Sequence, residues 1–165
     1  VEEFFMQIKK IILLSIFCGV TVTTFADDQS QTVNLSETPA AVQKTIHAHI
    51  GDGQLGEIDT ETNGEDIVYD VELTAKDDQE RDFTVDEDGT LLSVEVALAE
   101  TPEQAQKNIK TLIGDGKLES IDKNLDDLDI TYDIEVATKD GGEKDFTIAD
   151  DGTLLSEEIL LSETP

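Results

Sequence analysis

The sequence has no tryptophan, one cysteine, three prolines, and 11 lysines and arginines against 39 aspartates and glutamates. It has one long apolar run, Ile11 to Val22, broken by Ser15, Gly19 and Thr21 and containing the cysteine, Cys18. That run is shorter than the roughly 20 apolar residues a bilayer-crossing helix needs. Lys9 and Lys10 precede it, and Thr24-Phe25-Ala26 follow it. The pattern is that of a secretory signal peptide over residues 1–26, with Met6 as the natural start and cleavage after Ala26. Phe17 before Cys18 does not fit a lipoprotein site, which wants a small residue there. The exported chain of 139 residues (165 − 26) then has no cysteine. Its lack excludes disulfides, a thiolate nucleophile and cysteine–zinc chemistry.

The shortage of positive charge is the second exclusion. The formal charge is −28, and removing Glu2, Glu3, Lys9 and Lys10 with the leader leaves it unchanged. Nucleic acid and anionic membrane surfaces are repelled by such a chain. A basic protein or a divalent cation is attracted to it. Plain solubility in a saline medium also accounts for the charge, because salt screens self-repulsion beyond about 10 Å. High acidity with 5% aromatic residues is shared by disordered chains. The apolar periodicity argues against disorder here.

What is present is a repeat. Each proline closes one pentapeptide: Leu35-Ser-Glu-Thr-Pro39, Leu98-Ala-Glu-Thr-Pro102 and Leu161-Ser-Glu-Thr-Pro165. The period is 63 residues (98 − 35 = 161 − 98), and residues 35–97 align with 98–160 without a gap. Ile50-Gly-Asp-Gly53 recurs as Ile113-Gly-Asp-Gly116, Tyr69-Asp70 as Tyr132-Asp133, Asp82-Phe-Thr84 as Asp145-Phe-Thr147, and Asp88-Gly-Thr-Leu-Leu-Ser93 as Asp151-Gly-Thr-Leu-Leu-Ser156. The expected organisation is a linker over 27–34, two units over 35–97 and 98–160, and the start of a third over 161–165.

Within each unit the pattern predicts one helix and four strands. Thr38 and Thr101 are placed to cap helices beginning at Pro39 and Pro102, with Gln104 completing a capping box. Val42, Ile46, His49 and Ile50, and likewise Ala105, Ile109, Leu112 and Ile113, form one apolar helical face. Gly51 and Gly114 stop the helices. Strands follow at Leu55–Ile58, Ile67–Leu73, Phe83–Val85 and Leu91–Val96, with a hairpin at Asp88-Gly89. In the last strand Leu91 and Leu92 compete for the inner face. A three-residue loop at Asp77-Asp78-Gln79 predicts Leu73 opposite Phe83 and Val71 opposite Val85. The fold class expected is α+β: two tandem units, each one helix packed on a four-stranded antiparallel sheet. Units of about 60 residues are marginal alone, so the two are expected to pack together or to continue each other's sheet.

The ordered set of helix, Gly-Asp-Gly loop, Ile-Asp strand, Tyr-Asp-Val-Glu strand, Asp-Phe-Thr strand and Asp-Gly-Thr-Leu-Leu hairpin, occurring twice behind a signal peptide, resembles the PepSY family. It is most similar to the PepSY-like tandem proteins grouped with beta-lactamase-inhibitor-like folds. The resemblance implies a non-catalytic extracytoplasmic module, periplasmic or secreted, that binds or restrains a peptidase or other envelope protein. It carries over no contact residue.

The residues themselves offer little catalysis. His47 and His49 are the only histidines and, two apart on a helix, point in different directions. No serine has a histidine and orienting acid to serve it, and no glycine-rich loop opens a helix after a strand. The chain is therefore read as no enzyme, with no cofactor required. The candidate partner-binding residues are carboxylates on the polar strand face, Asp70, Glu72, Asp133 and Glu135. In the expected register Asp70 faces Asp86, a repulsive pair that calcium or a partner's lysine would relieve. The turn Asp86-Glu-Asp-Gly89 lacks the ligand spacing of an EF-hand. A calcium-binding acidic protein is the alternative to a protein-binding module.

Overall fold

The computed structural model describes residues 30–63, 66–76, 79–125 and 129–160. The leader, Cys18, Asp77, Asp78 and the last five residues lie outside them. The described chain forms one nine-stranded antiparallel sheet in which every strand pairs with its neighbour in sequence, β1 through β9. The strands are β1 (Gln31–Thr32), β2 (Gln54–Asn63), β3 (Asp66–Thr74), β4 (Phe83–Asp86), β5 (Leu91–Glu95), β6 (Lys117–Leu125), β7 (Ile130–Ala137), β8 (Glu143–Ala149) and β9 (Leu154–Leu160). Two helices, α1 (Ala40–Ile50) and α2 (Glu103–Ile113), follow β1 and β5, each after a short 3-10 turn. The expectation of two units, each a helix on its own four-stranded sheet, is therefore overturned. Strand β5 does not end a sheet: Ser93, Val94 and Glu95 pair with Asn124, Lys123 and Asp122 of β6. An unpaired edge exposes backbone donors and acceptors, and this seam removes two edges at once. The segment expected as linker supplies β1, with Gln31 opposite Thr60 and Thr32 opposite Asp59.

Cross-strand partners share a face, so the row Phe83, Val94, Lys123 and Tyr132 puts both helices on one side of the sheet. There Val42 and Ile46 of α1 pack with Ile58, Tyr69, Val71, Phe83 and Val85. Ala105 and Ile109 of α2 pack with Ile121, Tyr132, Ile134, Phe146 and Ile148. The i, i+4 apolar spacing is what turns these helix residues inward.

The helix starts differ by a residue from the expected ones. Pro39 and Pro102 are the N-caps. The hydroxyls of Thr38 and Thr101 donate backwards, to the carbonyls of Leu35 and Leu98, each at 2.9 Å. The reciprocal acid falls one turn earlier, where the Glu37 and Glu100 carboxylates accept from the backbone amides of Asn34 and Ala97, each at 2.8 Å.

The β3–β4 register is two residues from that expected. Val71 faces Phe83, Tyr69 faces Val85, and Asp70 faces Thr84. Arg81 N–H donates to the Leu73 carbonyl and Ala75 N–H to that of Gln79, so the hairpin closes between Ala75 and Gln79, one residue earlier than the expected loop. A slip of two keeps every side chain on its own face, which is why the apolar pattern could not distinguish the registers. The competition between Leu91 and Leu92 is settled by a bulge: Val85 faces Leu91 and Thr84 faces Ser93, leaving Leu92 as the extra residue.

Gly89 closes the β4–β5 turn with φ +87°, and a Cβ there would come within 2.8 Å of the Ala41 backbone. Its carbonyl accepts a 2.6 Å hydrogen bond from the Thr45 hydroxyl, tying the turn to α1. Gly152 holds the same place beside α2, where Asn108 Nδ2 donates to its carbonyl at 2.7 Å.

A candidate acidic docking face

The face without helices carries polar and acidic side chains because strand residues alternate. Two rows cross its middle. One runs Asp59, Asp70, Thr84, Ser93, Asn124 and Thr131. The next runs Glu95, Asp122, Asp133, Thr147 and Ser156, with Asp82 beside Glu95, whose amide donates to the Asp82 carbonyl at 2.7 Å. Glu72 lies on β3 at the Asp82 end, and Glu135 on β7 pairs with Ser120 and Asp145. The face is partly sealed, with Glu61, Val68, Thr84 and Asn124 all buried.

All four carboxylates expected to bind a partner stand on this face, but in two roles. Asp70 and Asp133 are held by neighbours. Thr84 Oγ1 donates to Asp70 Oδ1 at 2.7 Å, and Thr147 Oγ1 to Asp133 Oδ1 at 2.6 Å. The second oxygen of Asp133 accepts from Asn124 Nδ2 at 2.8 Å. The second oxygen of Asp70 is buried with no hydrogen-bond partner. The residue 63 positions before Asn124 is Glu61, which as a carboxylate has no proton to give. Glu72, by contrast, is exposed and Glu135 is half-buried.

Asp86 does not face Asp70. It pairs with Val68, and its Oδ1 accepts from the Glu87 amide. The directly opposed pair expected for calcium is replaced by Asp70 with Thr84. No three His, Cys, Asp or Glu side chains converge as a metal site among the described residues. His49 stacks at 5.4 Å on Phe83 and its Nδ1 bonds the Thr45 carbonyl.

The carboxylates missed in the sequence are Asp82, Glu95 and Asp122, which the β4–β5–β6 seam gathers. Burial raises the pKa of Asp82 to about 6, and Glu72, Asp122 and Glu80 push the same way. Asp82 remains an exposed residue, so water screens part of this cost. Glu95 is raised by burial and then by Asp122 and Asp82. Asp70 is raised chiefly by burial, against the Thr84 hydrogen bond, with Asp59 and Asp122 adding to it. The sequence signal for Asp122 was its place in the Ile-Asp strand. Only the joined sheet makes it a neighbour of Asp82.

No family model matches the chain, and no curated protein matches it in sequence. Solved structures do share its fold. A BLIP-like protein from Bacteroides fragilis matches with a TM-score of 0.50 and 15% identity, over 78% of this chain and 92% of that one. A proposed periplasmic protein from Bacteroides eggerthii matches with a TM-score of 0.54 and 11% identity, over 74% and 88%. A proposed calcium-regulated periplasmic protein from Bacteroides thetaiotaomicron gives a TM-score of 0.46 at 19% identity, over 78% and 96%. At these identities the likeness is one of fold. It bears on the beta-lactamase-inhibitor-like part of the resemblance and not on its PepSY part.

Proposed function

We propose that this chain is an exported, non-catalytic binding module whose helix-free face takes a basic protein partner. The observation that carries the reading is the gathering of Asp82, Glu95 and Asp122 on that face, where burial first and the neighbouring carboxylates second raise Asp82 and Glu95. A partner's lysine or arginine would relieve that repulsion, and charge-assisted hydrogen bonds to a carboxylate are the stronger kind. The export pattern and the periplasmic and BLIP-like neighbours support an extracytoplasmic setting. An envelope or secreted peptidase is the partner class to test first, as the resemblance suggests.

The test is capture from envelope and culture extracts on immobilised residues 27–165, with a variant in which Glu72→Lys, Asp82→Lys and Glu135→Lys are combined. These positions avoid the buried, hydrogen-bonded Asp70. Retention of one dominant protein by the parent and its loss by a folded variant is the expected result. Equal retention by both would remove this face from the function. The calcium reading uses the same carboxylates. It predicts a melting temperature that rises more with millimolar calcium than with sodium chloride of equal ionic strength.

A further inference from the structure

We propose that β9 is a donor strand whose acceptor is the β2 edge of a second copy of the same chain. The proposal stands on three positions that share one place in the 63-residue period: Val33, Val96 and Ile159. Val33 follows β1, its amide donates to the Ile58 carbonyl at 2.8 Å, and its side chain packs on the α1 core. Val96 follows β5, its amide donates to the Ile121 carbonyl at 2.9 Å, and its side chain packs on the α2 core. Ile159 stands on β9, which among the described residues pairs with β8 alone, and it is 58% exposed. Leu154 and Leu155 are exposed on the same strand, whereas their counterparts Leu91 and Leu92 are half-buried. Strand β9 thus has the apolar side chains and backbone edge of β5 and, among the described residues, no strand on its outer side.

The matching acceptor exists on this molecule. Strand β2 is the counterpart of β6, and among the described residues its outer edge is covered by Gln31 and Thr32, both exposed, and by the Val33 amide. The β5–β6 register, carried over, sets Glu158 against Asp59 and Glu157 against Thr60. It gives the Ile159 amide the Ile58 carbonyl and lays the side chain where Val33 now packs. Leu161-Ser-Glu-Thr-Pro165, which follows β9 in sequence, is identical to Leu35-Ser-Glu-Thr-Pro39, two residues beyond β1. Strand β1 is tethered in the slot, so its high effective concentration opposes exchange. Mutual repulsion of two chains carrying −28 each opposes it further. Association therefore strengthens with salt, the reverse of capture by charge, and the proposal stands or falls separately from the basic-partner reading. The contact is heterologous and does not close on itself, so it builds dimers and then longer chains.

The test uses residues 27–165, which have no cysteine. Glu158→Cys and Asp59→Cys variants are mixed and oxidised, and Glu157→Cys, one residue out and on the opposite face, replaces Glu158→Cys in the control. Light scattering follows mass up to about 1 mM protein, from roughly 20 to 500 mM sodium chloride. The expected results are a 158–59 cross-link well in excess of the 157–59 control and a mass that rises with protein and with salt. Ile159→Lys, at an exposed position, abolishes the rise with its melting temperature unchanged. Val33→Pro, which deletes the Val33 amide donor, increases the association. A monomer under all conditions, equal cross-linking at 157 and 158, or no response to Val33→Pro would each overturn the proposal.

Discussion

Substituting Glu61→Asn is expected to stabilise this protein, although Glu61 is buried and substitutions at buried positions usually destabilise. The reason is the difference between the two halves. Asp70 and Asp133 sit in the same register, Asp59 to Asp70 as Asp122 to Asp133. Asn124 donates to the second oxygen of Asp133, while that oxygen of Asp70 is buried and unbonded. An asparagine at 61 stands where Asn124 stands and supplies the missing donor. A hydrogen bond to a charged group contributes about 1.5–3 kcal/mol. Glu61 makes an interaction of its own that the change removes, which leaves a net gain of about 1–2 kcal/mol, or roughly 3–8 °C in melting temperature at this size. The gain depends on pH. The folded pKa of Asp70 is raised, so its ionisation costs stability as pH rises, and a donor to the carboxylate offsets that cost only where Asp70 is ionised. Calorimetry is expected to show the full shift at pH 7.5 and little at pH 4, with the Asp70 carboxyl titrating lower in the variant by NMR. Glu61→Gln, which removes the charge but keeps the longer side chain, separates charge from geometry. A folded Glu61→Asn protein that melts at or below the parent temperature at pH 7.5 would refute the reasoning, as would an equal gain at pH 4.

Other expectations follow from the same geometry. Asp70, Asp82 and Glu95 are raised, Asp82 to about 6, so their protonated forms contribute stability that is complete below about pH 4 and lost as pH rises through each folded pKa, about 6 for Asp82. Glu37, Asp88, Asp140 and Asp151 are lowered by turn and cap hydrogen bonds, and that stability is lost as pH falls below about 4. The urea midpoint is therefore expected to peak at about pH 4–5 and to fall towards pH 8, and a midpoint that climbs steadily to pH 8 would contradict the assignment. Gly89→Ala meets both a positive φ and the Ala41 backbone, and a loss of at least about 1–3 kcal/mol is expected in denaturant titration. Ile46→Ala and Ile109→Ala, both fully buried, are each expected to lose about 2–5 kcal/mol in the same assay.

How much of this was legible in the sequence depends on which property the residues encode. Apolar spacing encodes faces, and the helix cores at Val42 and Ile46 and at Ala105 and Ile109 fall on the side the pattern assigns. Register is encoded only modulo two residues. The loop between Thr74 and Glu80 could close on Phe83 opposite Leu73 or opposite Val71 without turning a single apolar side chain outward, and Arg81 bonding Leu73 selects the second. That shift is what moves Asp86 away from Asp70 and seats Thr84 there instead. Which edges meet is encoded still more weakly, because a strand edge is made of backbone common to all residues. The pairing of Val94 with Lys123 leaves no signature in either side chain, yet it converts two expected sheets into one and brings Asp122 beside Asp82.

The acidic face is thus a product of the seam more than of either half. Residues 35–97 alone place Asp59, Asp70, Glu72, Asp82 and Glu95 on it, and Asp122, Asp133 and Glu135 come from the other half. The charges that crowd Asp82 and Glu95 come from both. A change that opened the β5–β6 seam would separate these carboxylates without altering one of them. Val94→Pro, where proline cannot donate to a sheet ladder and is confined to edges and bulges, is such a change. It is expected to bring the Asp82 carboxyl back towards its ordinary value by NMR titration while circular dichroism retains the helices. An Asp82 still titrating near 6 in that variant would show that burial and Glu72, both within the first half, set its value without the seam.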